Sequence, residues 1–278
     1  MAGRVEGKVA FITGAARGQG RSHAVRLAGE GADIIGIDIC EDVDSIQYPM
    51  GTMADLEETK RQVEALGRKM LIFKADVRDF DALKAAADAG FAEFGRLDIV
   101  VANAGIASFA MTDQMEESMW QDVIDINLTG VWHTYKATVN HMIAAGNGGS
   151  IMFISSTGGL KGLAAIPHYV SAKHGLVGLA RTCAIEVAPH MIRVNTIHPT
   201  NIDTDMINNQ STRQAFRPDL DREVTKEDMV ESATAMNLIP VPWIDSIEIS
   251  HAVLFLGSDE ARFITAAKIP VDAGMSQK

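Results

Sequence analysis

The sequence predicts an α/β protein built on one doubly wound parallel sheet of about seven strands, with helices on both faces. Three observations predict it. Short apolar runs that read as buried strands alternate with longer segments of helical periodicity along the whole chain. The first run stops at a glycine-rich turn, Thr13 to Gly20 (TGAARGQG), and a helical pattern follows at once. No repeat, low-complexity tract or linker divides the sequence, so residues 1–278 are expected to form one domain.

Bulk properties narrow the function. With 278 residues and 47% hydrophobic content, the chain can bury one large core and is not expected to be disordered. A net charge of −11 repels phosphate backbones, which argues against a nucleic-acid partner. The two cysteines, Cys40 and Cys183, make no disulfide framework and fit a reducing cytoplasm. No apolar run approaches a membrane span, and the N-terminal residues carry no signal-peptide pattern.

Taken in order, Val9 to Thr13 is the first strand. Gly14, Gly18 and Gly20 follow, and then a helix through Ala24, Val25, Leu27 and Ala28. A strand, a glycine turn and a helix start together make a phosphate site, because free backbone N–H groups and the positive helix end face the anion. The second strand, Asp33 to Ile39, carries Asp38 near its C-terminal end. A carboxylate there accepts hydrogen bonds from the adenosine ribose and repels the extra phosphate of NADP, so NAD is the expected cofactor. Arg17 can reach a phosphate, but this does not outweigh Asp38.

Cys40 to Met53 is longer than a usual connection and reads as an insertion at about 40–53. Leu56, Val63 and Leu66 then repeat at helical spacing up to Gly67, and Met70 to Lys74 is the third strand. Phe80, Leu83, Ala87, Phe91 and Phe94 form the core stripe of the next helix, and Leu97 to Ala102 is the fourth strand. Glu116 to Gly146 reads as one long helix with Trp120, Val123, Ile124, Leu128, Val131 and Trp132 on its apolar side. Asn127 lies among them, where a buried amide needs partners. Strands follow at Ser150 to Ser155, Arg193 to His198 and Lys268 to Val271, with helices from Tyr169 toward Val187 and through Ile249, Val253 and Leu256. His133 and His141 lack metal-ligand spacing to any carboxylate or cysteine, and no metal is expected.

The chemistry centres on Tyr169-Val170-Ser171-Ala172-Lys173. A tyrosine and a lysine four residues apart share a helix face. An ammonium beside a phenol stabilises the phenolate and lowers its pKa from about 10, so the pair can exchange a proton with an alcohol or ketone near neutrality.

Glycine turn, Ser156, Tyr169 and Lys173, in that order, resemble the short-chain dehydrogenase/reductase family. The resemblance covers nearly the whole chain. Its glycine spacing, G-x-x-x-G-x-G, is that family's pattern, and it implies a Rossmann-like fold. The resemblance implies a catalytic set of Asn127, Ser156, Tyr169 and Lys173. Tyr169 acts as acid/base, Lys173 lowers its pKa and contacts the nicotinamide ribose, Ser156 bonds the substrate oxygen, and Asn127 holds a water that reaches the lysine. It implies a cofactor set as well. Gly14, Arg17, Gly18, Gln19 and Gly20 lie in the turn, Asp38 and Ile39 after the second strand, and Asp76 and Val77 at the adenine. Asn103, Ala104 and Gly105 close the crevice, and Pro199, Ile202 and Thr204 hold the nicotinamide carboxamide. Ala102 and Thr200 depart from the family's usual asparagine and glycine, which leaves the backbone at Thr200 open. Residues about 205–243 are expected to form a substrate lid, with Met206, Met229, Met236, Leu238 and Trp243 as candidate lining. The family also implies a homotetramer, paired through the helices at 116–146 and 169–187.

Within the family, Ile37-Asp38-Ile39-Cys40, the Asp42 to Met50 insertion and the stretch from His198 to Ile207 resemble the mycofactocin-coupled, carveol-dehydrogenase-like subgroup. That resemblance implies a secondary alcohol or ketone as substrate, NAD retained through turnover, and mycofactocin as a possible external electron carrier. Two other functions compete: an NADPH-dependent ketoreductase of acyl thioesters, against which Asp38 argues, and a non-enzymatic NAD-binding scaffold, against which the presence of both Tyr169 and Lys173 argues.

Overall fold

The computed structural model describes residues 3–278. Seven parallel strands form one sheet in the order β3-β2-β1-β4-β5-β6-β7. They are β1 (Val9–Thr13), β2 (Asp33–Asp38), β3 (Met70–Lys74), β4 (Ile99–Ala102), β5 (Gly149–Ile154), β6 (Ile192–Pro199) and β7 (Lys268–Val271). The helices are α1 (Gly18–Ala28), α2 (Met53–Ala65), α3 (Phe80–Phe94), α4 (Glu117–Ile124), α5 (Gly130–Ala145), α6 (Pro167–Val187), α7 (Gln210–Phe216), α8 (Lys226–Ala235) and α9 (Ser246–Gly257).

Side chains of a strand alternate between faces, and here both faces are covered. On β1, Val9 and Phe11 enter one buried cluster with residues of α3, α5 and α6. Ala10 and Ile12 enter the other, with residues of α1, α2 and α9. Continuous apolar strands therefore read correctly as doubly buried. Strand order reverses between β1 and β4, so the chain diverges there and leaves a crevice at the C-terminal strand ends.

Local signals set the helix ends. Thr52 and Asp55 form a capping box at the start of α2, and Thr225 and Asp228 form one at α8. Asp79 caps α3 by accepting from Ala82 N–H at 3.0 Å. Gly95 ends that helix in the left-handed region, φ 70°.

The expected helix from Glu116 to Gly146 is interrupted. Asp125–Thr129 forms a π-helical turn between α4 and α5. Asn127 sits at its centre, fully buried, with Oδ1 accepting from Ile106 N–H at 2.9 Å and Nδ2 donating to Ile106 C=O at 2.8 Å. These bonds hold the turn against the β4 loop, and such bulges cluster at functional sites. The apolar side of this helix is covered unevenly. Val123 and Val131 are buried, but Trp120 and Trp132 stay 38% and 41% exposed in the single chain. The irregular stretch after residue 205 gains two helices, α7 and α8, each capped by a side chain.

Candidate active site

The glycine turn is shaped by close approach. Gly14 and Gly18 have φ of 68° and 54°, the region that favours glycine. A side-chain carbon at Gly20 would stand 1.9 Å from Gly14 O, so only glycine lets α1 start against the turn. Asn103 clamps the turn across the switch point. Its Nδ2 donates to Thr13 O at 3.0 Å, and Thr13 Oγ1 accepts from the N–H groups of Asn103 and Ala104 at 3.1 and 3.2 Å.

A cavity at this crevice is bordered by Gly14, Arg17, Gly18, Gln19, Asp38, Ile39, Asp76, Val77, Asn103, Ala104, Gly105 and Thr204, all residues predicted for the cofactor. Gly20 lies behind the turn, and Pro199 and Ile202 border a second cavity instead. The residues fit a dinucleotide. Gly14 and Gly18 hold the turn open in the left-handed region beside the cavity, and Gln19 Oε1 is buried with no hydrogen-bond partner among the described residues. Asp38 ends β2, and its carboxylate is anchored: Oδ2 accepts from Ala16 N–H at 2.9 Å and Oδ1 from Cys40 N–H at 3.1 Å. Asp76 is paired with Arg78, which also reaches Asp122.

Sequence reasoning gave Arg17 a phosphate. Here its guanidinium pairs with Asp205 at 2.9 Å and donates to Pro49 C=O, joining the glycine turn, the insertion and the segment after β6. Val43, Tyr48 and Met50 of the insertion line the same cavity. Val43 and Tyr48 are buried, and Tyr48 Oη accepts a long hydrogen bond, 3.4 Å, from Ala107 N–H.

Ser156, Tyr169 and Lys173 meet beside this crevice. Pro167 at the start of α6 places the tyrosine and lysine on its first turns. Lys173 is 3% exposed, donates to Ile154 C=O at 2.8 Å, and lies 5.4 Å from the centre of the Tyr169 ring. Ser156 follows β5 in an extended conformation, accepts from Gly158 N–H at 3.0 Å, and borders the same cavity as Tyr169. Ser155 is turned away, its hydroxyl donating to Lys173 C=O at 3.0 Å. Gly105 separates the lysine from Asn127: a side-chain carbon there would stand 3.3 Å from Asn127 Oδ1 and 3.6 Å from Lys173 Nζ.

Burial acts on both groups of the pair. Lys173 was expected to lower the tyrosine pKa. In this structure burial raises Tyr169 above its ordinary value, opposed by the hydrogen bond from Ser156. Burial also pushes Lys173 down to about 7. In the protein alone, burial thus acts against the charged form of each group.

The second cavity, about 480 Å³, opens onto Ser156 and Tyr169. Phe109, Leu163, Ile166, Met206, Ile207, Phe216, Met236 and Met275 are the large apolar side chains of its wall, and no charged side chain borders it among the described residues. Several wall hydroxyls are already engaged: Thr200 Oγ1 donates to Asn237 Oδ1 at 2.9 Å, and Thr157 Oγ1 contacts Met275 Sδ at 3.4 Å. Thr200 has no positive φ, so the departure from glycine costs no strain. Of the five candidate lining residues, Met206 and Met236 reach the cavity. Met229 is 1% exposed and outside it, Leu238 is 58% exposed, and Trp243 lies under Lys226 Nζ at 4.8 Å. Phe109, Phe216 and Met275 were missed. They come from three distant segments, and no local pattern joins them.

Residues 8–215 match the sequence model of the short chain dehydrogenase family. The chain is 54% identical over 276 residues to (-)-trans-carveol dehydrogenase of Rhodococcus erythropolis, covering 99% of each. It superposes on carveol dehydrogenase from Mycobacterium avium in complex with NAD with a TM-score of 0.98 and 53% identity, covering 99% of this chain and 100% of that one. A short chain dehydrogenase from Mycobacterium paratuberculosis bound to NAD gives a TM-score of 0.91 at 42% identity, covering 99% and 100%.

Proposed function

We infer the function from one premise: the chain belongs to the short chain dehydrogenase family. It is an NAD-dependent oxidoreductase that interconverts a secondary alcohol and a ketone. One observation carries the reading. Ser156, Tyr169 and Lys173 stand where a dinucleotide crevice meets an apolar, charge-free cavity.

In this reading a bound NAD would supply the hydride acceptor for the carbinol carbon. Gly14, Gly18, Gln19, Asp38, Val77 and Thr204 are the residues that would hold it. Ser156 bonds the substrate oxygen, and Tyr169 takes the hydroxyl proton. Lys173, as ammonium, makes the phenolate accessible, and Asn127 holds the π turn that seats Gly105 against the lysine. The anchored Asp38 carboxylate would repel a 2′-phosphate. The cavity wall favours an uncharged, largely apolar alcohol, such as a terpenoid the size of carveol.

The insertion at 40–53 covers the cofactor. Val43, Tyr48 and Met50 form its inner face, and Ser45 ties it to Asp122 at 2.7 Å. It must lift before NAD leaves, so NAD stays bound through turnover and an external carrier, mycofactocin by resemblance, takes the electrons. Residues 205–243 act as the substrate lid. The exposed Trp120, Trp132 and Ile185 support assembly into a homotetramer through α4, α5 and α6. No helix of the described residues is long and apolar enough to cross a membrane. The free Cys40 and Cys183 suit a cytoplasmic location.

The test is a panel of secondary alcohols headed by carveol, with NAD or NADP and with or without a dye acceptor. The expected result is near-stoichiometric NAD in the denatured protein, ketone formation, and sustained turnover only with the dye. Cofactor-free protein that prefers NADP, or acts only on acyl thioesters, contradicts it.

A further inference from the structure

We propose that His198 is a positioning residue that aims the Ser156 hydroxyl by holding the Ser156 carbonyl. This rests on the reading of Ser156 as the group that bonds the substrate oxygen. β5 and β6 are paired in register up to Ile154 and Ile197, and Ser155 N–H still bonds Ile197 C=O at 2.8 Å. One residue later the backbone of β5 turns away toward the 3₁₀ turn at Thr157–Gly159. There the ladder is continued by a side chain: His198 Nδ1 lies 2.8 Å from Ser156 O.

The partners fix the tautomer. A carbonyl only accepts, so Nδ1 carries the proton. Nε2 then accepts from Thr196 Oγ1, two residues back on the same strand face, at 2.8 Å, shorter than that hydroxyl's 3.3 Å contact with Ala267 C=O. Both His198 and Thr196 are fully or almost fully buried, at 0% and 1% exposure. Burial pushes His198 down to about 4, so the ring stays neutral and the arrangement persists at working pH. The Ser156 peptide is thus held at its carbonyl by His198 and at its hydroxyl by Gly158 N–H. Released at the carbonyl, the peptide is free to rotate and carry Oγ away from the Tyr169 hydroxyl. Misplacement of a reacting group by about 1 Å can cost on the order of 100-fold in rate.

The geometry separates two near-isosteric variants. In His198→Asn, the amide nitrogen falls where Nδ1 was. In His198→Gln, it falls where Nε2 was. H198N should therefore retain most of the wild-type kcat, whereas H198Q should lose about 10- to 100-fold with little change in cofactor affinity. Both are made in the full-length protein and assayed with NAD, the dye acceptor and the fastest alcohol of the panel. In a Ser156→Ala background, H198Q should cost little further, because the hydroxyl it aims is gone. A ¹⁵N spectrum of wild type should show the Nδ1–H tautomer for His198. Equal kcat for the Asn and Gln variants overturns the inference, as does the same H198Q penalty in the Ser156→Ala background, or an Nε2–H tautomer. If S156A itself retains wild-type kcat, the role of Ser156 falls and this inference with it. If S156A is impaired and H198Q is not, only this inference falls.

Discussion

Removing the Asp38 carboxylate should change both stability and cofactor choice, by separable amounts. In the protein alone its two oxygens already hold the N–H groups of Ala16 and Cys40. Ala16 is fully buried, so Asp38→Ala leaves its N–H unpaired, at about 1–3 kcal/mol, and the half-buried Cys40 N–H adds about 1 kcal/mol. A loss of about 2–4 kcal/mol against an unfolding entropy of about 2.1 cal/mol/K per residue lowers Tm by about 3–7 °C for 278 residues. Asp38→Asn keeps one acceptor oxygen and should lose about half as much. Both variants remove the charge that faces a 2′-phosphate. At about 5 Å and an effective dielectric near 20, that charge is worth about 3 kcal/mol, so the NADP-to-NAD affinity ratio should rise on the order of 100-fold. Thermal scans at one rate and one protein concentration, with titrations of both cofactors, read the two effects. A shifted ratio with unchanged Tm refutes the backbone clasp. A lowered Tm with an unchanged ratio refutes the role in cofactor choice.

Tyr169→Phe keeps the ring and deletes the transferable proton. Turnover should fall at least 10²–10⁴-fold while NAD binding, read by titration, persists, and near-normal turnover would end the acid/base assignment. Lys173 predicts a pH dependence of stability. Its folded value is lowered to about 7 from 10.5, so between those values the unfolded chain holds a proton that the folded chain lacks. Stability from this group therefore rises as pH increases from 7 toward 10, by about 1.4 kcal/mol per unit. Relative to Lys173→Met, wild type stripped of cofactor should gain denaturant midpoint between pH 7.5 and 9.5, and a gap that stays flat or narrows contradicts the buried, lowered lysine. Tyr48→Ala should speed NAD loss about tenfold or more by opening the cover, without lowering single-turnover oxidation. Equal NAD retention after dilution would mean that the insertion does not gate release.

What could be read in the sequence was what short-range pattern encodes. The glycine turn, Asp38 at a strand end and the Tyr169–Lys173 spacing are local, and the first two border one crevice in the fold, with the pair beside it. β3 and β7 were read to the residue, because each is an apolar run between polar or glycine breaks. Periodicity showed the apolar side of α4 and α5, but it does not show how deeply each residue is covered: Trp120 and Trp132 stay partly exposed. Adjacency suggested that Lys173 lowers the Tyr169 pKa. Burial acts in the opposite sense at Tyr169, and it depends on the whole fold. The cavity wall was beyond reach for the same reason: Met275 joins Phe109 and Phe216 only after β7 closes the sheet. His198 read as an ordinary strand residue, since its partner Ser156 lies 42 positions away.

The central claim is that the residues around Ser156, Tyr169 and Lys173 direct a hydride from a secondary carbinol carbon to NAD. The most direct measurement is a single turnover of the protein and its bound NAD with the fastest alcohol of the panel, deuterated at the carbinol carbon. Mass spectrometry of the released cofactor should show one deuterium in the nicotinamide ring for each ketone formed, and Tyr169→Phe should suppress both together. Ketone formed with no deuterium in the cofactor would contradict the account.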